Sequence, residues 1–489
     1  TFLTPYPFKS FSIVENFFTT GYGMPSYTLL GTDVIMMGRH ANEGGLGHEI
    51  MHCWWGNYVN VDESRGNWCE GLTTYCSNYY FLELKKTPAD AFNYRRINCV
   101  KFSAFVNEGN DKPVRTFVGK QAEIDNEIGY GKPSAMFHML RKMIGDVAFF
   151  ESLRQVIREK GGNKANWEDF QFAFEKNSGQ KLQWFFDQWL DRTGIPDISL
   201  GNVSLEGKKV SFIIKQNTVP TFKLMLPVVI TTDQGKEESI IEVSNTVEPK
   251  TIEVKAGKPL SLAIDPDYNI FRRLKDKELW PCLGATMGDK NLLVVYPSAG
   301  TPEENALYKK VAERVAGNQK AAMKADSEIV QADLNNNSLM ILGSPAINTA
   351  AAQLMNEARF KPDNFKLMKD GFVINNTTYN SPSQAVMASC WSPYNNKKYI
   401  TLFMGLSQQA SERPARIVFF YRWDNYIIFE QGQMIRKGDF SAPFNSLEYK
   451  FTGDQTSQAT PTPTPAQNPR LESIRKHCAF LASPALAGR

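Results

Sequence analysis

The chain has 489 residues, of which 42% are hydrophobic and 12% aromatic, so it can bury several cores and should form more than one domain. Its formal net charge of +4 is spread along the chain, which excludes the concentrated basic surface of a nucleic-acid-binding protein. No stretch approaches the run of about 18 apolar residues that a membrane-spanning helix requires. The seven cysteines have no regular spacing and predict no disulfide framework.

Residues 1–45 are rich in aromatic residues, glycine and proline, and this composition predicts strands and loops. The first five residues have no initiator methionine, no basic region and no apolar core. We therefore expect them to come from the interior of a longer protein. Three glycines, Gly44, Gly45 and Gly47, then lead into a predicted helix.

This helix carries two histidines four residues apart, His48 and His52, with Glu49 between them. Both imidazoles lie on one face and can bind a single ion, while the Glu49 carboxylate can reach a water molecule on that ion. Zinc with an open coordination position needs a third protein ligand, and Glu70, one or two helices later, is the candidate. Because the chain holds only five histidines, the spacing predicts one hydrolytic Zn²⁺ with Glu49 as general base. The alternative is a helix with two incidental histidines beside packed tryptophans.

Four neighbours of these residues have predicted supporting roles. Cys53 and Cys69 adjoin the predicted ligands, and we expect them to pack as small buried hydrophobic residues. Asn57 and Asn67 are candidates to hydrogen-bond to the zinc ligands and orient them.

Apolar residues repeat at helical spacing from about residue 68 to 195, and the pattern predicts a domain over 1–197 whose N-terminal part is β-rich. After it the hydrophobic period changes to two. Short strands separated by turns predict a small antiparallel β-sandwich over 198–275.

A different composition begins near residue 288 and predicts an α/β accessory domain over 288–450. Its predicted elements are strand 292–296, helix 303–316, strand 339–344, helix 348–358, and further strands at 417–421 and 426–429. The turn Gly343-Ser344-Pro345 is interpreted as a connection rather than an anion site, because no lysine or second glycine supports a phosphate loop.

The remaining residues divide into two segments. Residues 453–469 contain repeated Thr-Pro pairs and predict a semi-extended linker. Residues 470–489 have apolar residues at helical spacing but too few to bury a core, so we expect them to begin a truncated further domain.

Two runs in this sequence resemble a known family. His48-Glu49-Ile50-Met51-His52-Cys53-Trp54-Trp55-Gly56-Asn57, followed by Trp68-Cys69-Glu70-Gly71-Leu72-Thr73-Thr74-Tyr75, is similar to the paired zinc motifs of the aminopeptidase N family of gluzincins. The resemblance covers about residues 1–275. It implies a multidomain α+β fold with a thermolysin-like, mostly helical zinc peptidase domain followed by a small β-sandwich. It further implies a zinc metalloaminopeptidase that acts on peptides, with His48, His52 and Glu70 as its ligands.

Two shorter segments extend the resemblance. Residues 129–135 are similar to the family's Tyr-x-Lys-Gly segment, which implies that Tyr130 binds the oxyanion; the alternative is a core residue at a helix start. Residues 12–16 lie where the family has Gly-x-Met-Glu-Asn, which implies that Glu15 binds the substrate's α-amine; the alternative is an ordinary exposed carboxylate. Here the family's glycine and methionine are Ser12 and Val14, and Pro133 replaces the glycine after Lys132.

Two other functions remain open. The altered segment around Glu15 is compatible with a zinc endopeptidase that needs no free α-amine. A non-catalytic scaffold, with the α/β domain as a binding module, is disfavoured because every predicted zinc-binding group is present. His138 is interpreted as a structural histidine and His40 as a loop residue, neither of them a ligand.

The end of the chain adds an expectation about context. Residues 471–489 are similar to the first helix of the two-zinc secreted aminopeptidases, which implies a second peptidase module on the same chain. Together with the Thr-Pro segment, this similarity predicts an extracytoplasmic protein, periplasmic or secreted.

Overall fold

The computed structural model describes residues 2–17, 21–36, 42–85, 87–121, 124–417, 421–440 and 444–451. His40, the predicted linker at 453–469 and the predicted domain start at 470–489 lie outside these residues. The chain forms two compact units, one comprising the residues up to Glu278 together with 445–451, and the other comprising Leu279–Phe444.

The first unit begins with a three-stranded sheet. Its strands are β1 (Ser12–Asn16), β2 (Gly21–Met24) and β3 (Tyr27–Gly31), in the order β1-β3-β2. Strand β1 is parallel to β3, whereas β2 and β3 form an antiparallel hairpin. Pro25 and Ser26 make the turn, and Ser26 has a φ of 67°, as the third position of a type II turn requires. This topology makes β2 an edge strand.

Helices dominate the rest of this unit up to residue 191, as the hydrophobic spacing predicts. They are α1 (Thr32–Met36), α2 (Gly47–Met51), α3 (Cys69–Thr74), α4 (Tyr80–Leu84), α5 (Pro88–Phe105), α6 (Lys132–Ile144), α7 (Asp146–Lys160), α8 (Trp167–Ser178) and α9 (Gln183–Phe186). Turns of π-helix at Asn42–Leu46, Tyr75–Tyr79, Asn126–Gly131 and Asp187–Asp191 adjoin them, and 3₁₀ turns lie at Glu63–Arg65 and Val114–Thr116. Two short parallel strands, β4 (Asn60–Val61) and β5 (Lys164–Ala165), pair between distant parts of the chain.

An aromatic core lies behind the helix that carries the two histidines. Trp55 and Trp68 are fully buried, and their rings contact each other and the ring of Phe170. The Trp68 indole Nε1 donates to the carbonyl of Ala165 at 2.8 Å, which satisfies its polar atom. This packing holds the C-terminal end of α2 against the start of α3 and against α8.

The β-sandwich follows, with alternating buried and partly buried residues along β8. Its strands are β6 (Ile198–Glu206), β7 (Lys209–Gln216), β8 (Leu224–Thr232), β9 (Gly235–Val243), β10 (Val247–Glu253) and β11 (Pro259–Ile264). They form one sheet of order β10-β7-β6 and another in which β11, β8 and β9 are joined by a strand from far along the chain.

The predicted end of the α/β domain at residue 450 is wrong, because this strand belongs to the first unit. Residues Glu448–Lys450 pair antiparallel with β11, and Asn445 donates to the carbonyl of Ile264 at 3.2 Å. Pattern alone does not reveal this pairing, because a three-residue strand has too little hydrophobic periodicity to identify its partner.

The second unit contains a seven-stranded mixed sheet. Its elements are α10 (Leu283–Met287), β12 (Leu292–Tyr296), α11 (Pro302–Gln319), β13 (Ala322–Ala325), α12 (Gln331–Asn336), β14 (Ser338–Leu342), α13 (Thr349–Asn356), β15 (Phe365–Met368), β16 (Gly371–Ile374), β17 (Thr377–Tyr379), β18 (Gln384–Trp391), β19 (Tyr399–Gly405), α14 (Gln408–Glu412), α15 (Pro414–Ile417), β20 (Tyr426–Glu430) and β21 (Gln433–Gly438). The sheet order is β13-β12-β14-β19-β18-β20-β21, and β15, β16 and β17 form a separate three-stranded sheet. The final strand of the sandwich is β22 (Glu448–Lys450).

Two local predictions for this unit have clear outcomes. The predicted strand at 417–421 is wrong at its start, because Ile417 ends helix α15, and residues 418–420 lie outside the described part. Pro414 opens that helix at a position where its missing N–H costs nothing. The turn at Gly343 is a connection, as expected: Asn348 donates to the carbonyl of Leu342 and accepts from two amides of α13.

Within the described residues, no helix combines the length and the apolar character needed to cross a membrane.

Candidate functional site

Three predicted ligands converge in the first unit. His48 Nε2 lies 3.1 Å from His52 Nε2 and 3.3 Å from Glu70 Oε2, and His52 Nε2 lies 3.5 Å from the same carboxylate oxygen. The two histidines belong to successive turns at α2, and Glu70 opens α3. The structure therefore brings together residues that are 22 positions apart in the sequence.

The geometry of this cluster fits a zinc ion. Bonds of about 2.0–2.2 Å in a tetrahedral zinc site place neighbouring ligand atoms roughly 3.3–3.6 Å apart, close to the observed separations. His48 Nδ1 faces the amide oxygen of Asn78 at 3.1 Å, and His52 Nδ1 faces the carbonyl of Trp55 at 3.1 Å. Each Nδ1 must donate to its acceptor, so each Nε2 presents a lone pair to the cluster. Two lone pairs and a carboxylate oxygen at this distance repel one another unless a cation lies between them.

Asn78 is an outer partner that sequence reasoning missed. Its Nδ2 donates to the carbonyl of Gly44 at 3.1 Å, and its oxygen also accepts from Ser77, so the amide orientation is fixed. The predicted partners act elsewhere. Asn67 accepts from the amide of Cys69, the first residue of α3, at 2.8 Å. The side-chain nitrogen of Asn57 is buried and has no hydrogen-bond partner among the described residues. The sequence feature that could have identified Asn78 is its position eight residues after Glu70, on the continuous helical segment that begins with α3.

Replacing Asn78 by alanine should weaken zinc binding by roughly 10–100-fold, because His48 loses the acceptor that fixes its tautomer and orientation. Competition with a chromophoric chelator measures this affinity directly. Asn78→Asp keeps an acceptor oxygen and should retain most of the affinity. Equal affinities for the native protein and Asn78→Ala would contradict the assignment.

The cysteines near the ligands pack as predicted. Cys53 and Cys69 are buried, and neither forms a disulfide within the described part of the chain. The Cys69 thiol donates to the carbonyl of Trp55 at 3.1 Å and lies 3.4 Å from His52 Nδ1. A Cβ on Gly56, which has a φ of +100°, would lie 2.9 Å from this sulfur. Glycine at this turn therefore lets α3 approach the end of α2.

Strand β2 covers the general-base candidate. A Cβ on Gly21 would lie 2.7 Å from Glu49 Oε1, and one on Gly23 would lie 2.8 Å from Glu49 Oε2 and 2.9 Å from His52 Cβ. Only glycine permits the strand to lie this close. Glu49 is consequently only 8% exposed. Burial raises its pKa, the charge of Glu70 acts in the same direction, and the two histidines oppose the shift.

Tyr130 lies beside the cluster. Its ring stacks on that of His48 with centroids 6.3 Å apart. Burial, followed by the charge and hydrogen bond of Glu70, raises the pKa of the phenol, which keeps it protonated as a donor. A Cβ on Gly71 would lie 2.3 Å from Pro133, so the glycine after Glu70 and the proline after Lys132 bring α3 and α6 together.

The carboxylate of Glu70 carries a negative charge. Burial alone would raise its pKa, but the adjacent imidazoles of His48 and His52 outweigh this effect and lower the pKa below the ordinary range. A charged carboxylate is the form that binds a cation.

Glu15 lies on a different strand from the one that covers Glu49. It belongs to β1, which is separated from β2 by β3, and its Oε1 accepts from the Thr32 hydroxyl at 2.8 Å. The described contacts do not bring it together with Glu49 or Tyr130. His138 is likewise separate: it is buried in α6, where its Nε2 lies 2.9 Å from Asn269 Oδ1.

The described geometry is that of a three-residue cluster able to hold one metal ion, with a carboxylate and a phenol beside it. Residues 39–189 match the family model described as the Peptidase family M1 domain. This segment includes both zinc motifs and Tyr130.

Several curated relatives are aminopeptidases. Aminopeptidase 2, mitochondrial, of Saccharomyces cerevisiae is 25% identical over 213 residues, which are 41% of this chain and 22% of that protein. Aminopeptidase N of Lactococcus lactis subsp. lactis is 27% identical over 175 residues, 32% of this chain and 19% of that protein. Tricorn protease-interacting factor F2 of Thermoplasma volcanium is 22% identical over 269 residues, 48% of this chain and 34% of that protein. The chain thus spans between 19% and 34% of the length of these relatives.

Among solved structures, Legionella pneumophila aminopeptidase A in complex with aspartic acid aligns with a TM-score of 0.42 and 16% identity. The alignment covers 54% of this chain and 31% of that chain.

Proposed function

We propose that this protein is a zinc metalloaminopeptidase that hydrolyses peptides from their N-terminus. One observation carries the proposal: two imidazole Nε2 atoms and a carboxylate oxygen converge beside Glu49, inside the segment that matches the M1 domain. His48, His52 and Glu70 would hold the ion. We further propose that the helical part of the first unit is thermolysin-like.

The reaction divides among the chain's own groups. His48, His52 and Glu70 would hold a zinc ion, which would supply Lewis acidity for the scissile carbonyl and for water. Glu49 accepts a proton from the attacking water and later transfers it to the leaving amine. Tyr130 donates a hydrogen bond to the oxyanion that develops in the transition state. Strand β2 excludes water from one side of Glu49.

Hydrolysis of aminoacyl-arylamides tests the proposal. The purified protein should release the arylamine, should lose the activity on treatment with a strong chelator, and should regain it with stoichiometric Zn²⁺. Activity that survives complete removal of the metal would refute the proposal, and so would a purified protein that binds no zinc.

The position of Glu15 favours a second candidate, a zinc endopeptidase. The strand against Glu49 is Gly21–Met24, which has no carboxylate to bind an α-amine, whereas Glu15 lies on the opposite edge of the sheet. Paired peptides that differ only by N-acetylation separate the two functions. An enzyme that depends on the α-amine should leave the acetylated peptide intact, and an endopeptidase should cleave both.

The cellular context is also a proposal. The Thr-Pro segment at 453–469 and the similarity of 471–489 to secreted two-zinc aminopeptidases support an extracytoplasmic location and a second peptidase module. The α/β unit would then be an accessory or interaction domain. Cell fractionation with an antibody against the full-length protein tests the location.

A further inference from the structure

The backbone on both sides of Tyr130 is in close contact with neighbouring elements. Tyr130 lies in the π-helical turn Asn126–Gly131, between Gly129 and Gly131. A Cβ on Gly129 would lie 2.3 Å from the Phe117 ring, and one on Gly131 would lie 2.7 Å from Asn98 Oδ1. The position of the Tyr130 phenol therefore depends on the contacts that Gly129 and Gly131 make.

Asn98 makes the directional contact. It lies on α5 and is only 9% exposed, and its Nδ2 donates to the carbonyl of Gly131 at 2.9 Å. A buried hydrogen bond of this kind is costly to break, because the carbonyl and the amide cannot turn to water instead. It ties the residue directly after Tyr130 to a helix outside the metal-ligand cluster.

Packing on the far side of this junction is incomplete. A small cavity between α5 and α6 is lined by Asn98, Tyr94, Ser134 and Ala135, among others. Atoms that face this space lack van der Waals contacts on that side, so the hydrogen bond to Gly131 is the directional contact of the Asn98 side chain at this junction.

We infer that Asn98 is a positioning residue for Tyr130, which holds the phenol at the distance from His48 and Glu70 that oxyanion binding requires. The inference rests on the proposed function, since it assumes that Tyr130 acts in peptide hydrolysis. Asn98 touches neither the predicted ligands nor the reacting atoms; it acts through the Gly131 carbonyl.

A double-mutant cycle on the full-length protein tests this. Asn98→Ala and Asn98→Asp are each made in the native and the Tyr130→Phe backgrounds, and kcat and KM are measured with one aminoacyl-arylamide. In the native background kcat should fall about tenfold, with KM changed less than about twofold, because the misplaced donor matters chiefly in the transition state. In the Tyr130→Phe background the same substitutions should lower kcat less than about twofold.

The controls separate positioning from general damage. Asn98→Asp preserves volume while losing the donor, and Asn177→Ala removes a comparable bond to the carbonyl of Ala173, on α8 of the same unit. Zinc content and the thermal midpoint are measured for all variants. Asn177→Ala should leave kcat unchanged, and the Asn98 variants should bind zinc as the native protein does.

Each other outcome has a definite meaning. Equal losses of kcat in the two backgrounds would overturn the inference, because they would mark Asn98 as a general structural residue. Unchanged kcat in the native background would also overturn it. A native protein without metal-dependent hydrolysis would refute the proposed function itself. An active native protein in which Tyr130→Phe has full kcat would refute only the role of the phenol and, with it, the positioning role of Asn98.

Discussion

Replacing Glu49 by glutamine should lower kcat by roughly 10²–10⁴-fold while zinc remains bound, because the amide keeps the shape of the side chain but cannot accept the proton of the attacking water. Glu49 contributes no atom to the cluster formed by His48, His52 and Glu70. Its loss should therefore separate catalysis from metal binding. Rates on an aminoacyl-arylamide and zinc content from elemental analysis are the two measurements.

Glu108→Gln is the matched control, since Glu108 is an exposed carboxylate of the same unit. It should change neither quantity. A Glu49→Gln variant that retains the native kcat would show that another group accepts the proton, and a variant that loses zinc would show that Glu49 supports the metal as well.

Replacing Gly23 by alanine should reduce kcat by about 10²-fold, because the added methyl group has no room over the site. It would lie 2.8 Å from Glu49 Oε2 and 2.9 Å from His52 Cβ. The carboxylate can rotate away, but His52 Cβ is fixed to the helix backbone, so β2 must move and displacements near 1 Å cost this much in rate. Gly21→Ala should cost less, since its contacts are all with the flexible end of Glu49.

Gly201→Ala is the control for a glycine inside a strand, because nothing lies within 4 Å of its Cβ position. It should leave kcat unchanged. Zinc content and thermal midpoint show whether the loss in Gly23→Ala reflects the site alone. Native kcat in Gly23→Ala would mean that β2 is not held against Glu49 in solution.

The metal-ligand cluster could be predicted from sequence because its signal is local. Two histidines one helical turn apart define a face, and a single glutamate in a second motif completes the donor set. The family resemblance added Tyr130, which the structure places next to His48. The predicted role of Glu15 rests on its position relative to the motif, and the topology of the first sheet puts β3 between its strand and the site.

The residues that sequence reasoning missed depend on contacts between distant segments. No sequence motif marks Asn78, Gly23 or Asn98. Each lies near the site only because α2, α3, α5 and β2 pack together. A glycine that permits close approach looks the same in sequence as a glycine in a flexible loop. The strand at Glu448–Lys450 could not be predicted for the same reason, since residues 279–444 separate it in the sequence from its partner β11.

That last pairing has a consequence for the order in which the protein folds during synthesis. The ribosome synthesises β6 to β11 before β22. The outer edge of β11 therefore has no partner strand until residues 279–444 have also been made. An unpaired strand edge is a template for pairing with other chains. Nascent chains stalled within residues 279–444 should therefore aggregate through the sandwich, and release of the chain beyond Lys450 should end this exposure.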